Sequence, residues 1–360
     1  MKRAIFSLMA LASLCMAQAQ YTISLDLGDV PDAKAYLEHM GQNVDSVDVI
    51  SGKGTLNGPK LYGADYVSIS SPAGKWTLFS WVTNGDNVAI TRDKSDNIII
   101  TGSKTQDEYK AYTDHMNRIR NYQRQIVADG KAALDAGDRE TYNAKVALLE
   151  TTRAEEDSLE RVFILSNPSS FVSLNEVYNM RLLHKKPLSE YLPLFETLDK
   201  DALAGRQWDT LSEVIVKDKS LEPGVIFNDF TMEDVYGDEF KLSDYRGKYV
   251  LLTIGMPHEN IYDSDIELRK ELYAKYAPQG LEMIDFIKCD DPSEILSAAG
   301  PGALTWVFGS DFKGWGSSFL AEHGIDQLSL NVLLDPEGRI IANRLFGDEL
   351  RKELESTFAK

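Results

Sequence analysis

The chain has 360 residues, 43% of them hydrophobic, and carries 38 Lys and Arg against 56 Asp and Glu. The net charge of −18 repels phosphate backbones and anionic membrane surfaces, so the composition argues against a nucleic-acid-binding protein. With two cysteines in all, Cys15 and Cys289, the chain has no disulfide framework, and its stability has to come from packed cores.

The N-terminus has the pattern of a secretory signal peptide over residues 1–19. Lys2 and Arg3 precede an apolar stretch over 4–16, and Ala17-Gln18-Ala19 places small residues at positions −3 and −1 of a cleavage site. The stretch is shorter than the ~20 residues of a membrane-spanning helix, and no transmembrane segment is predicted. The expected location is the periplasm or cell envelope.

Cleavage after Ala19 leaves Gln20 as the first residue and Cys289 as the single cysteine. The remaining 36 basic and 56 acidic residues then give a net charge of −20. The alternative is a lipoprotein attached through Cys15. Leu14 stands where lipoprotein processing requires a small residue, which favours simple cleavage.

Residues 20–104 have the signals of a small β-sandwich. Short runs rich in β-branched and aromatic residues, such as those at 66–69, 76–79 and 97–101, are separated by Gly, Asn and Asp. The glycine-rich segment 52–58 leads into a strand pattern, whereas a phosphate-binding loop leads into a helix. A hairpin turn is therefore the favoured interpretation of this segment, and a nucleotide site is the alternative.

Residues 105–218 predict an α-helical connector. Apolar residues recur at steps of three and four from Tyr109 onward, with a break at 136–138 and an end at Asn167-Pro168. Two shorter helices are expected near 170–182 and 188–215. A partner-binding coiled coil is the alternative, but its heptads are not sustained.

Residues 219–360 alternate strand and helix patterns, as an α/β domain does. The apolar run 249–254 predicts a strand buried on both faces, a helix follows from Asp263, and 281–287 is a second strand. These two strands should run parallel across the helix. Later come a strand at 330–334, a turn at 335–338, a strand at 339–342 and a last helix.

An ordered set of residues in this region resembles the thiol-disulfide interchange family, the TlpA/ResA and AhpC/TSA-like thioredoxin domains of Gram-negative envelopes. The matching residues are Gly224, Phe227, Phe230, Asp234, Gly237, Leu242, Gly247-Lys248, Val250-Leu251-Leu252 and the turn Asp335-Pro336-Glu337-Gly338. Upstream, Asp45-Ser46, Gly102-Ser103 and Asn167-Pro168-Ser169-Ser170 resemble the domain of unknown function that precedes such modules. The resemblance implies a thioredoxin-like C-terminal domain.

The resemblance also implies an active site that this chain lacks. In the family, two cysteines one turn apart lie at a helix start, where the helix dipole lowers the pKa of the attacking thiol and the second thiol resolves the mixed disulfide. The corresponding positions are Glu259 and Tyr262, and the position of the family's cis-proline is Ser329. No cysteine lies between Cys15 and Cys289.

The residues at these positions suit a structural role better than other chemistry. Glu259 beside His258 suggests acid-base work or a metal, but adjacent residues at a helix start rarely converge on one ligand, so helix capping is favoured. The remaining histidines show no metal-ligand spacing, and no cofactor or metal is predicted. Cys289 follows a parallel strand, at the sheet edge where open α/β folds bind ligands, but Asp290 and Asp291 should raise its pKa. The favoured interpretation is that Cys289 is an unreactive, partly buried thiol.

Two functions remain. The first is a redox-inactive envelope protein that binds an unidentified partner protein or small ligand and has no catalytic residues. The second is a thiol-disulfide oxidoreductase that works through Cys289 alone or with the thiol of a partner.

The processing hypothesis has a direct test. N-terminal sequencing of the exported protein should find Gln20 first, because the residues before it form the cleavage site. A lipid-modified Cys15, or Met1 retained in the envelope fraction, would contradict it.

Overall fold

The computed structural model describes residues 20–183, 186–256, 260–299, 306–326 and 328–359. They form two compact units divided between Leu211 and Ser212, inside one helix. The predicted domain boundaries near 104 and 218 stay predictions, and the predicted signal peptide lies outside the described residues. In the part of the chain that the structure describes, no helix is long and apolar enough to cross a membrane.

The first unit begins with the predicted β-sandwich. Its strands are β1 (Tyr21–Asp26), β2 (Ala33–His39), β3 (Gln42–Val49), β4 (Lys53–Gly58), β5 (Asp65–Ser71), β6 (Trp76–Val82), β7 (Asn87–Arg92) and β8 (Ile98–Thr101). One sheet has the order β4-β1-β7-β8 and the other β3-β2-β5-β6. Alternate side chains, such as Ile23 and Leu25, fill the core between the sheets. The glycine-rich segment 52–58 itself forms β4 after a turn at Gly52, and so it does not lead into a helix.

Six helices follow among the described residues, and polar caps mark the start of most of them. They are α1 (Lys104–Asp135), α2 (Arg139–Ser166), α3 (Phe171–Leu182), α4 (Leu188–Phe195), α5 (Lys200–Leu203) and α6 (Arg206–Lys219). Ser103, Asp138 and Ser170 each accept a hydrogen bond from a backbone N–H in the first turn of α1, α2 and α3. The predicted long helical hairpin, with its break at 136–138, is confirmed.

The single helix predicted over 188–215 is wrong, because the segment forms α4, α5 and α6. Asp199 accepts hydrogen bonds from two backbone N–H groups and so starts α5. A Cβ on Gly205 would lie 2.9 Å from Cα of Gly63, so the backbone needs glycine at this close approach. The first feature is a local helix cap and the second is a tertiary contact. The spacing of hydrophobic residues along the sequence indicates neither of them.

The second unit is built on a seven-stranded sheet. Its strands are β9 (Thr231–Asp234), β10 (Glu239–Lys241), β11 (Tyr249–Gly255), β12 (Leu281–Ile287), β13 (Val307–Ser310), β14 (Leu330–Leu334) and β15 (Ile340–Asn343). The order is β10-β9-β13-β12-β11-β14-β15. Strands β11, β12 and β13 are parallel, and β14 runs antiparallel to β11. This is the thioredoxin-like arrangement that was predicted.

Helices cover both faces of this sheet. They are α7 (Asn260–Tyr276), α8 (Pro292–Ala299), α9 (Ser318–Glu322) and α10 (Gly347–Phe358). Val250, Leu252 and Ile254 of β11 pack with Phe319 of α9 on one face. Leu251 packs on the other face with side chains of α7 and α10. The central strand is therefore buried on both sides, as its apolar run predicted.

The helical part of the first unit contains a buried pair of carboxyl groups. Glu160 of α2 and Glu176 of α3 are 2% and 5% exposed, and the hydroxyl of Tyr112 on α1 lies 3.4 and 3.2 Å from their carboxyl oxygens. Burial, together with the charge of Glu176 and a hydrogen bond to it, raises the pKa of Glu160 to about 8. The pair therefore holds a proton at neutral pH, with Arg120 and Asp157 as the nearest other charges.

This pair predicts a first unit that loses stability as pH rises. The unfolded Glu160 releases its proton near pH 4.5, while the folded one keeps it to about pH 8, so the free energy of unfolding falls across that window. Thermal melts between pH 4.5 and 9 should show this fall in the parent. Glu160→Gln should flatten it, whereas Glu150→Gln, at an exposed position of α2, should leave it unchanged. An equal slope in Glu160→Gln and the parent would contradict the shared proton.

The burial of β11 predicts that a charge there is strongly destabilising. Val250→Asp and Leu252→Asp, at positions 2% and 0% exposed, should each lower the free energy of unfolding of the second unit by roughly 3 kcal/mol or more. Val216→Asp is the control, because Val216 is 69% exposed. Denaturant unfolding measures all three. The strand assignment fails if the first two variants unfold like the control.

Candidate functional site

The candidate site lies at the carboxyl ends of β11 and β12. Strand β11 ends at Gly255, and α7 begins at Asn260. Glu259, the first of the two positions that correspond to the family's cysteines, lies outside the described residues. Tyr262, the second, is in the first turn of α7. The structure therefore places a helix start at this sheet edge, as the resemblance implied.

Ser329 lies at the same edge, immediately before β14. Leu330 pairs with Ile254, so Ser329 is level with the last residue of β11. Its φ is +55°, a conformation that non-glycine residues rarely adopt, and no cis peptide bond occurs in the described residues. Its hydroxyl is buried without a hydrogen-bond partner among the described residues. The backbone here has the left-handed conformation in place of a proline.

Cys289 follows β12 by two residues and is 2% exposed. Its Sγ lies 3.5 Å from the carbonyl oxygen of Ile287 and 3.6 Å from Oγ of Ser310. Burial is the main cause that raises the pKa of the thiol, and the carboxylates of Glu294 and Asp290 add to it. The direction agrees with the prediction, but the reason differs, since the sequence argument rested on Asp290 and Asp291 alone. A raised pKa makes this thiol a poor nucleophile at neutral pH.

A cavity of about 440 Å³ opens beside Cys289, between β9, β13 and α9. Ser310 lines it and contacts the thiol, so Cys289 lies behind its wall. Carboxylates dominate its polar lining: Asp229, Glu233, Asp311 and Glu322. Within the described residues, no group of three His, Cys, Asp or Glu side chains is placed to hold a metal ion.

Sequence reasoning missed a buried ion pair beneath this edge. Asp285, in the middle of β12, is 0% exposed and lies 2.5 Å from the guanidinium of Arg269 on α7, which is 2% exposed. The guanidinium also lies over the ring of Trp306, 5.1 Å from its centre. The signal was present in the sequence, because Asp285 is the one carboxylate inside the buried part of an otherwise apolar strand pattern.

No protein-family model matches the chain. Over 144 residues, the chain is 23% identical to the thiol-disulfide oxidoreductase ResA of Bacillus thuringiensis, a match that covers 40% of this chain and 81% of that protein. The ResA of Geobacillus thermodenitrificans is 27% identical over 131 residues, 36% of this chain and 74% of the relative. ResA-type thiol-disulfide oxidoreductases are homologues of about 40% of this chain.

A solved structure is also similar to the thioredoxin-like part. The thioredoxin domain of a thiol-disulfide oxidoreductase from Bacteroides vulgatus is 23% identical and has a TM-score of 0.37. The match covers 39% of this chain and 99% of that domain. The resemblance to thiol-disulfide oxidoreductases, predicted from the ordered residues of the C-terminal region, is confirmed by the two ResA relatives.

Proposed function

We propose that the protein is a redox-inactive member of this group, in which the thioredoxin-like unit binds a partner protein or small ligand of the cell envelope. The observation that carries the proposal is the state of Cys289. It is the single cysteine after residue 15, it is 2% exposed, and burial raises its pKa. The proposal includes export by the signal peptide, without a lipid anchor.

The chemistry of exchange supports this choice. A thiolate has to attack a disulfide, and a second thiol has to release the enzyme from the mixed disulfide. Cys289 forms little thiolate at neutral pH, and Glu259 and Tyr262 stand where the family has its cysteines. Neither a carboxylate nor a phenol performs either step. The acidic cavity beside Ser310 offers the unit a place to bind a ligand.

The alternative is a thiol-disulfide oxidoreductase that works through Cys289 or with a partner's thiol. The activity in the names of the ResA relatives favours it. On this hypothesis, the segment around Cys289 opens to expose the thiol, and a partner supplies the second sulfur. The two proposals differ in what happens when Cys289 is removed.

An insulin-reduction assay with dithiothreitol as the electron donor separates them. The purified mature protein should reduce insulin no faster than dithiothreitol alone, and Cys289→Ser should match it, because no exposed thiolate is available. The double variant Glu259→Cys with Tyr262→Cys is the positive comparison. It should gain part of an activity, since Ser329 does not supply the backbone geometry of a cis-proline.

Turnover by the parent protein that disappears in Cys289→Ser would overturn the redox-inactive proposal. It would establish an enzyme with one cysteine. Circular dichroism of both proteins shows whether the serine variant keeps the fold, so that a loss of activity is assigned to the thiol itself.

A further inference from the structure

The outward face of one sandwich sheet carries exposed aromatic rings. Tyr66 of β5 and Phe79 of β6 are 45% and 48% exposed, and their rings stack with centres 5.5 Å apart and planes 4° from parallel. Trp81 pairs with Tyr66 across the strands, at 5.2 Å between ring centres. We name the exposed rings of Tyr66 and Phe79, together with the buried ring of Trp81 beside them, the aromatic platform. Apolar rings of this size are costly to expose, so a flat exposed pair suggests a surface that binds something.

A cavity of about 210 Å³ adjoins the platform. Besides Tyr66 and Trp81, its lining is polar: Asp65, Asn175, Tyr178, Arg206, Gln207 and Thr210. Gln207 donates through its amide nitrogen to Oδ1 of Asn175, at 3.1 Å. Its carbonyl oxygen Oε1 is buried and has no hydrogen-bond partner among the described residues.

Trp81 contributes a hydrogen-bond donor without a partner, whereas Gln207 contributes an acceptor. The residue is 8% exposed, and its indole Nε1 is buried without an acceptor in the described part of the chain. A buried donor or acceptor without a partner costs roughly 1–3 kcal/mol, so native structures rarely keep one without a reason. Both atoms belong to residues that line the same small cavity. A ligand with hydroxyl groups complements both kinds of atom, because a hydroxyl donates to an amide oxygen and accepts from an indole N–H.

The charges of the cavity are already paired with one another. Arg206 donates to both carboxylate oxygens of Asp65, at 2.7 and 2.6 Å, and Nε2 of His39 lies 2.8 Å from the same carboxylate. Burial opposes ionisation of Asp65, but these hydrogen bonds outweigh it and lower its pKa. The ion pair leaves no net charge for a ligand to neutralise. A neutral ligand therefore fits the cavity better than a charged one, because Arg206 and Asp65 already satisfy one another.

Hydroxyl and carboxylate groups continue along the same face of the sheet. Ser68 and Ser70 alternate with buried residues of β5, as Tyr66 does, and both donate to the carboxylate of Glu38, at 3.2 and 2.9 Å. The platform is thus bordered by the polar cavity on one side and by this hydrogen-bonded group on the other. An aromatic surface with polar groups at its margin suits a flat ligand with an apolar face and a polar rim.

We propose that the platform and its cavity bind a neutral saccharide. A sugar ring has a face of C–H groups, which stacks on Tyr66 and Phe79, and a rim of hydroxyls, which the cavity's amides and hydroxyls bind. The cavity admits about one ring, and further rings of an oligosaccharide extend over the platform. An aromatic peptide side chain would cover the platform but leave the polar atoms of Trp81 and Gln207 unpaired. This site lies within the first unit and does not depend on the redox state of the second.

Isothermal titration calorimetry tests the proposal on the whole mature chain. The probes are the neutral hexaoses of cellulose, xylan, mannan and laminarin, with N-acetyl-tyrosinamide, choline and polygalacturonate as probes of the other ligand classes. At least one hexaose should bind, and the other three probes should not. Tyr66→Ala and Phe79→Ala should each weaken binding at least tenfold, and Gln207→Leu should weaken it by removing the acceptor.

Tyr236→Ala is the matched control, because Tyr236 is 73% exposed and belongs to the second unit. It should bind like the parent. Thermal melts show whether each variant is folded, and Phe79→Ala decides the test if Tyr66→Ala is not. The proposal is overturned if no hexaose binds the parent, if the platform variants bind like Tyr236→Ala, or if N-acetyl-tyrosinamide binds and the hexaoses do not.

Discussion

The ion pair between Asp285 and Arg269 constrains the architecture of the second unit. A carboxylate in the middle of a sheet that is covered on both faces needs a cation beside it, since an uncompensated charge there costs several kcal/mol. Arg269 meets this need from α7, and Trp306 closes over the guanidinium. The pair ties α7 to β12, and so it helps to place the start of α7 at the carboxyl ends of the strands.

The parts of the fold that hydrophobic patterning specifies could be predicted from the sequence. The run at 249–254, the helix after it and the turn at 335–338 each have a local signal. In the turn, Asp335 accepts hydrogen bonds from the backbone N–H groups of Glu337 and Arg339. The break between α5 and α6 could not be predicted in this way, because it lies where Gly205 approaches Gly63, more than 140 positions earlier. Local periodicity carries no information about such an approach.

The same contrast between local signals and long-range contacts applies to the candidate sites. Cys289 was placed correctly at a sheet edge, since the strand that precedes it is apolar and continuous. The aromatic platform could not be predicted from the sequence. Tyr66 and Trp81 are neighbours only because their strands pair, and the amides of the cavity come from helices far along the chain. Alternation along one strand indicates which residues face outward. The alternation does not indicate which of these outward-facing residues contact one another.

The contacts between the sandwich and the helices of the first unit bear on where a domain ends. The backbone N–H of Trp81 donates to Gln106 of α1, Asp65 pairs with Arg206 of α6, and Gly63 packs on Gly205. A gene fragment that stopped near residue 104 would strip these partners from the sandwich and leave a buried carboxylate without its cation. The sandwich and the helices up to Leu211 belong to one compact unit, and a truncation between them would separate residues that contact one another.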